Sequence, residues 1–454
     1  MNTYRQARAL FKQGDLTRAL PLLQRVVESV PERHDPRRDL ASTLYKLGRL
    51  SDALREYNEI AVRFPDQSEA ANNVAGVLSV MGHQALAFQA VERALALDPG
   101  NTAAMTNLAE ILKHMGDWQG SRDVYAAALS LAPTDAKLRL QYGMALVLLD
   151  DWGAGWPAME AREAVLGTAV LFKEQSKRPR WSGAEPLDGK QLLIQHEQGL
   201  GDAIMGARFA KALAARGAIV HLRCPQPLVE FLSGAEGLGS CTAVGSPMPP
   251  HDFHIPLMSL MAALKVTPAN LEGSPYLTPA GPCPPHLESL LPRDGIPTVA
   301  LTWSGNPKHI NDHRRSIKGE LLAPLLSTPD IRFVAMQKDP AMEDVLSESL
   351  RDRLIDVGAQ CRTFTDSAHA LRRVDLAITV DTAVAHLAGA IGTPTLLCLP
   401  FAPDYRWGAT GTRTPWYTSL TVLRQPEAMH WEPVIAEAIR LIVGDRSGPS
   451  LWRG

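Results

Sequence analysis

The chain has 454 residues, about three times the usual single-domain length, so two or three domains are expected. Hydrophobic residues at 45% and charged residues at 21% exclude a mostly disordered or collagen-like chain. Lys+Arg 46 against Asp+Glu 48 gives a formal net charge of −2, without the basic excess that marks a nucleic-acid binder. The five cysteines (Cys224, Cys241, Cys283, Cys361, Cys398) are scattered and form no Cys-x-x-Cys pair. That argues against a disulfide scaffold or a thiolate zinc site and fits a reducing cytoplasm. The opening MNTYRQARALFKQGDL carries charges where a signal peptide needs an apolar core. No stretch reaches the ~20 uninterrupted apolar residues of a membrane helix. The expectation is a soluble, cytoplasmic protein.

Glycines stand at Gly14, Gly48, Gly82 and Gly116, prolines at Pro31, Pro65, Pro99 and Pro133, both at a step of 34. Small residues keep that step at Ala7, Ala41, Ala75, Ala109 and Gly143, and again at Ala19, Ala53, Ala87 and Ser121. Apolar residues three and four apart, as in Ala19-Leu20-Leu23-Val26-Val27, give each segment one buried stripe. The glycine then marks a turn between two helices, the small residues let them approach, and the proline ends the second. Such hairpins bury their apolar faces only by stacking on neighbours, which builds a superhelix with a concave surface. The pattern resembles the tetratricopeptide repeat over residues 1–150, with a degenerate fifth unit to about residue 165. A further register of hydrogen-bonding residues, Asp39, Asn73, Asn107 and Gln141, falls on the first helix of each unit. It reads either as a solvated polar position or as a ladder that grips a polypeptide backbone, with Asn73, Asn107 and Gln141 as acceptor-binding residues.

After Trp152 the periodicity changes. Residues 151–186, rich in Trp, Pro and charge, read as a connector. Gln191–Gln195, Val220–Arg223 and Asp252–Leu257 read as strands, with a helix at Ala203–Arg216. A proline-rich break places an interdomain linker at residues 281–294. Thr298–Thr302, Ile331–Ala335, Leu376–Val380 and Thr395–Leu399 are further β-rich runs separated by helical stretches. Such alternation predicts parallel sheets covered by helices, here in two Rossmann-like lobes at residues 187–280 and 295–425. A last helix within residues 426–446 is expected to pack back across both lobes. The fold class expected is α + α/β.

Ligands of such folds sit at the carboxyl ends of strands, and three motifs stand there. QHEQGLGDAIMG (195–206) offers Asp202 at a helix start, either as an N-cap or as a general base, with His196 beside it. LTWSGNPKHINDHRRSI (301–317) gathers Ser304, Asn306, Lys308 and Arg315, a mixture suited to phosphate oxygens or to a solvated basic loop. TVDTAVAHLAGAIGTPT (379–395) puts Asp381, Thr382 and Ala383 at a helix N-terminus, a recurrent anion site, with His386 one turn further in. Gln337 closes another strand. Tyr405, Trp407, Trp416 and Tyr417, with Asp404 and Arg406, suit sugar stacking or the sealing of an interdomain face.

Gly201-Asp202 after the first strand, and Asp381-Thr382-Ala383 with His386 before Gly-Thr-Pro, resemble the lipopolysaccharide heptosyltransferase-like glycosyltransferases of the GT-B fold. Trp303-Ser304-Gly305-Asn306-Pro307 with Asp312 and Arg315, and Pro403-Asp404-Tyr405-Arg406-Trp407, resemble the bacterial subgroup carrying N-terminal tetratricopeptide repeats, an architecture similar to O-GlcNAc transferase. The resemblance implies a two-lobed GT-B region with an acceptor lobe and a nucleotide-sugar donor lobe. It implies Asp202 as catalytic base and a donor site at Ser304, Asn306, Lys308, Arg315, Gln337, Asp381, Thr382, Ala383 and His386. The family's Asp-Thr-Gly is Asp-Thr-Ala here. No Asp-x-Asp pair occurs, so neither metal nor cofactor is expected and the nucleotide sugar is a co-substrate. The acceptor implied is a protein, flagellin among the candidates, with a lipopolysaccharide or polysaccharide acceptor and a silent repeat scaffold as alternatives.

Overall fold

A computed structural model of the chain describes residues 2–167, 177–307, 312–338 and 346–444. Its contacts divide it into two units, Met1–Ala145 and Leu146–Gly454.

The first unit is built from helical hairpins: α1 (Asn2–Lys12) with α2 (Leu16–Ser29), α3 (His34–Lys46) with α4 (Leu50–Arg63), α5 (Ser68–Val80) with α6 (Gln84–Leu97), and α7 (Thr102–His114) with α8 (Trp118–Leu131), followed by α9 (Ala136–Leu148). Each hairpin turns through a left-handed glycine, Gly14, Gly48, Gly82 and Gly116, with φ between +75° and +86°. The turns close identically: the N–H of the residue after the glycine bonds back to a carbonyl of the preceding helix's last turn, as in Arg49 N to Leu44 O at 2.9 Å and His83 N to Leu78 O at 2.9 Å. One step of 34 after Gly116, Asp150 holds the same conformation at φ +64°, and Asp151 N bonds to Leu146 O at 2.9 Å. The degenerate fifth turn thus keeps the geometry without the glycine. Ala7, Ala19, Ala41, Ala53, Ala75, Ala87 and Ala109 are all fully buried where paired helices meet.

The second unit opens with α10 (Trp152–Met159) and α11 (Arg162–Leu166) and carries two sheets, parallel throughout. The first has order β3-β2-β1-β4, from β1 (Gln191–Gln195), β2 (Ile219–Cys224), β3 (Leu238–Ala243) and β4 (Phe253–Pro256). The second has order β10-β9-β8-β5-β6-β7, from β5 (Thr298–Thr302), β6 (Arg332–Ala335), β7 (Ile355–Asp356), β8 (Leu376–Val380), β9 (Thr395–Leu399) and β10 (Leu420–Arg424). Every residue of β5, β8 and β9 is buried, as expected of strands with helices on both faces. The chain is therefore α-helical in its repeats and mixed α/β, with parallel sheets, beyond them.

Several expectations are corrected. The final helix, Glu432–Gly444, does not cross the lobes. Val434, Ile435, Ala438 and Ile442 insert into the core of the six-stranded sheet beside Val299 and Leu396, because that apolar stripe matches the sheet face next to it. Residues 281–294 are not a bare linker: Pro285–Leu290 is helical, Leu287 and Leu291 are buried, and Arg373 bonds to Leu291 O at 3.1 Å. Residues 151–186 are more than a connector, since Pro179–Trp181 runs along β4 through His254 N to Pro179 O at 3.1 Å and Trp181 N to His254 O at 2.9 Å. The segment expected as one helix at Ala203–Arg216 is two, Leu200–Ala207 and Phe209–Ala214.

Candidate functional site

Beyond β1, the N–H of His196 bonds to Arg223 O at 3.0 Å and prolongs the sheet by one residue. Glu197 then turns inward, Gln198 takes a left-handed φ of +67°, and Gly199 begins the Leu200–Ala207 helix. Asp202 is the third helical residue. Its Oδ2 accepts the Gly199 N–H at 2.9 Å, so Gly199 is the N-cap and Asp202 closes the helix start from the third position rather than as the N-cap itself. Its Oδ1 accepts from Arg406 Nη2 at 2.6 Å, and Asp202 is buried. His196 Nδ1 is buried without a hydrogen-bond partner among the described residues. Burial lowers the pKa of this ring, and Asp202 only partly opposes the shift.

Beyond β8, Asp381 and Thr382 form the turn into the Ala383–Ile391 helix. Thr382 is the N-cap, its hydroxyl accepting the Val384 N–H at 3.2 Å, and Ala383 is the first helical residue. Asp381 O accepts from Arg315 Nη1 at 2.9 Å, and Arg315 Nε bonds to Asp312 at 3.1 Å. Burial and the neighbouring Asp404 push the Asp381 carboxyl up to about 6, against the pull of Trp407, Arg315 and Arg406. His386 is buried, bonds through Nδ1 to Tyr417 OH at 2.9 Å, and stacks on Trp407 at 5.0 Å. Burial, then the charges of Arg406 and Arg208, lower its pKa to about 3, so it stays neutral.

The remaining expected donor residues divide. Gln337 acts as a staple: Oε1 accepts from Trp303 N at 3.2 Å and Ser304 N at 3.1 Å, while Nε2 donates to Ser304 O at 3.0 Å. Its planar amide thereby stands in for a missing rung of sheet and fixes the loop that carries Ser304. Ser304 shares a 3.3 Å hydroxyl contact with Ser316. Asn306 lies in the same loop, and Lys308 falls outside the described residues.

The lobes meet where the two helices begin. A Cβ on Gly201 would stand 2.5 Å from His386 Cδ2, so only glycine permits this approach. Gly201→Ala is expected to lower stability by about 1–3 kcal/mol, because stacked His386 has nowhere to move; urea unfolding would measure it. Arg406, from the loop after β9, spans the junction. Its Nη2 reaches Asp202 and, at 2.9 Å, Gln198 of the first lobe, and its Nη1 reaches Asp404 of its own lobe at 2.8 Å. Two ion-paired groups thus lie at the strand ends, Asp202–Arg406–Asp404 and Arg315–Asp312, and Asp381 lies near both, its carbonyl bonded to Arg315 and its carboxyl repelled by Asp404. The aromatic cluster seals the face: Trp416 stacks on Trp152 at 5.0 Å, and Arg208 lies over Tyr276 and Tyr417 at 4.6 and 4.8 Å. Among the described residues no group of three His, Cys, Asp or Glu side chains is placed to hold a metal ion.

In the repeats, the polar register is partly committed internally. Asp39 accepts the Tyr4 hydroxyl at 2.7 Å, and Asn107 Nδ2 donates to Asn72 Oδ1 at 2.7 Å. Asn107 therefore ties neighbouring units together through Asn72, one residue before the register. Asn73 and Gln141 are half-buried at their register positions.

Two family models of the tetratricopeptide repeat match residues 4–71 and 82–140. Protein FlbA of Caulobacter vibrioides is 28% identical over 347 residues, covering 66% of this chain and 55% of that protein. The chain thus spans about half the length of the curated relative it matches. Among solved structures, a thermophilic TPR protein of Thermus thermophilus aligns at 17% identity and a TM-score of 0.34, over 37% of this chain and 92% of that one. MamA from Desulfovibrio magneticus RS-1 aligns at 19% identity and a TM-score of 0.30, over 36% and 91%. No helix among the described residues is long and apolar enough to cross a membrane.

Proposed function

From the tetratricopeptide repeats at the N-terminus and the two parallel-sheet lobes that follow, we propose that the protein is a cytoplasmic, metal-independent glycosyltransferase of the GT-B type. It would move a sugar from a nucleotide-sugar donor to a hydroxyl on a polypeptide offered by the repeats, flagellin being one candidate on the family resemblance. The observation that carries the reading is the meeting of the helix holding Asp202, after β1, with the Ala383–Ile391 helix, after β8, at the Gly201–His386 contact, with Arg406 bonded to Asp202. In this mechanism the acceptor hydroxyl loses its proton to Asp202, or to the neutral His196, as the sugar–phosphate bond breaks. The departing diphosphate is stabilised by the positive end of the helix that begins at Ala383 and by Arg315.

The test is a thermal-shift panel of nucleotide sugars, followed by intact-mass analysis of acceptor proteins mixed with the best hit. Asp202→Ala should retain donor binding and lose transfer by roughly 100-fold or more. Transfer at the wild-type rate in that variant removes the catalytic role. A second reading, a catalytically silent scaffold, is favoured by one fact: both oxygens of Asp202 are already engaged. Turnover with no sugar of the panel, in wild type as in the variant, would select it.

A further inference from the structure

Arg406 pairs with a carboxylate of each lobe, Asp202 in the first and Asp404 in its own. The cluster holds four carboxylates, Asp202, Asp312, Asp381 and Asp404, against two guanidinium groups, Arg315 and Arg406. A diphosphate arriving at Thr382 therefore meets cations that are already neutralised. Of the carboxylates on Arg406, Asp404 also caps the backbone, accepting the Arg406 N–H at 3.0 Å, and so is held in place by a local turn. Asp202 belongs to the other lobe, and its second oxygen is fixed by Gly199 N–H whatever Arg406 does. The Arg406 side chain is 11% exposed, and its buried Nε–H has no partner among the described residues, leaving donor capacity for a further anion. The other interlobe contact of Arg406 is with Gln198, whose left-handed backbone is strained for a non-glycine residue.

We propose that Arg406 is an exchangeable latch: it holds Asp202 in the empty protein and passes to the phosphates of an incoming donor, which frees Oδ1 of Asp202 to accept a proton. The proposal rests on the glycosyltransferase reading and assigns Arg406 as a positioning residue for Asp202. No bond other than hydrogen bonds changes in this step. The carboxylate stays in place through Gly199 while its ion pair is exchanged.

Inorganic pyrophosphate, common to the donor class, is the probe, titrated calorimetrically into the full chain. Because Asp202 competes with the anion, Asp202→Asn should bind pyrophosphate at least 5-fold more tightly than wild type. Arg406→Gln should bind at least 10-fold more weakly, with Arg406→Lys in between. In the double variant the gain from Asp202→Asn should vanish, since the competition requires the guanidinium. Melting curves establish that each variant is folded; if Arg406→Gln is not, Arg406→Lys serves as the background. Equal or weaker binding by Asp202→Asn overturns the latch, as does a gain that survives without Arg406 or the absence of pyrophosphate binding in every variant. The two failures are separable: nucleotide-sugar turnover with no competition by Asp202 sinks the latch alone, whereas competition without turnover sinks the transferase reading and leaves the exchange.

Discussion

Glu197→Gln is expected to lower the unfolding free energy by about 3 kcal/mol or more, measured by urea denaturation at pH 7. Arg162 and Glu197 are each almost fully buried and joined in a bidentate pair of 2.8 and 2.7 Å. Glu197 also accepts the Met258 N–H at 2.8 Å, and Arg162 reaches Ser259 Oγ at 2.7 Å and Glu160 at 2.7 Å. The network fastens α11 to the ends of β1 and β4. Neutralising one partner leaves the guanidinium desolvated with one remaining counter-charge, and that penalty, more than the worth of the pair, sets the size of the effect. The companion Glu197→Leu with Arg162→Met should recover most of the loss, because it leaves no buried charge unpaired. A change below about 0.5 kcal/mol for Glu197→Gln would mean that water reaches the pair.

The second large effect concerns acid stability. His386 titrates near 3 in the folded protein and near 6.5 when unfolded. The unfolded chain therefore binds its proton first: the contribution is complete above pH 6.5 and is lost as pH falls toward 3, by up to about 4–5 kcal/mol. Asp381 runs the other way. Its carboxyl titrates near 6 when folded and near 3.8 when not, so stability falls as pH rises from 4 to 6, by up to about 3 kcal/mol. Between pH 4 and 6 the two slopes oppose each other. Relative to wild type, Asp381→Asn should lose stability more steeply as pH drops from 6 to 4, and His386→Gln less steeply or not at all. Urea midpoints at half-unit pH intervals would show this, and parallel curves for all three proteins would refute it.

The helical hairpins were legible because their markers repeat: a left-handed turn, a close helix contact and a helix stop recur at one spacing, and each has a residue type that suits it. The central strands were legible for a similar reason, since β5, β8 and β9 are buried on both faces and read as unbroken apolar runs. The strands that escaped, Leu238–Ala243, Ile355–Asp356 and Leu420–Arg424, are all sheet edges, where one flank is unpaired and the pattern is diluted. At the candidate site, the positions of Asp202, Thr382 and His386 at helix starts followed from local motifs. Their partners did not. Arg406 lies 204 residues from Asp202, and no spacing rule links a loop arginine to a carboxylate on another sheet. Nor did Gln337 announce that its amide would close a loop, since an amide suits a ligand and a missing backbone rung equally well.

The shared turn chemistry of the hairpins makes the length of the array a variable separate from its geometry. Each joint closes on itself within a few residues, and Asp150 shows that even the glycine can be replaced while the bend is kept. Duplicating or excising a block of 34 residues between equivalent joints, such as Gly82 and Gly116, preserves every local bond and the phase of the apolar stripe. Removing one residue fewer or one more rotates all later helices by about 100° and points their stripes toward water.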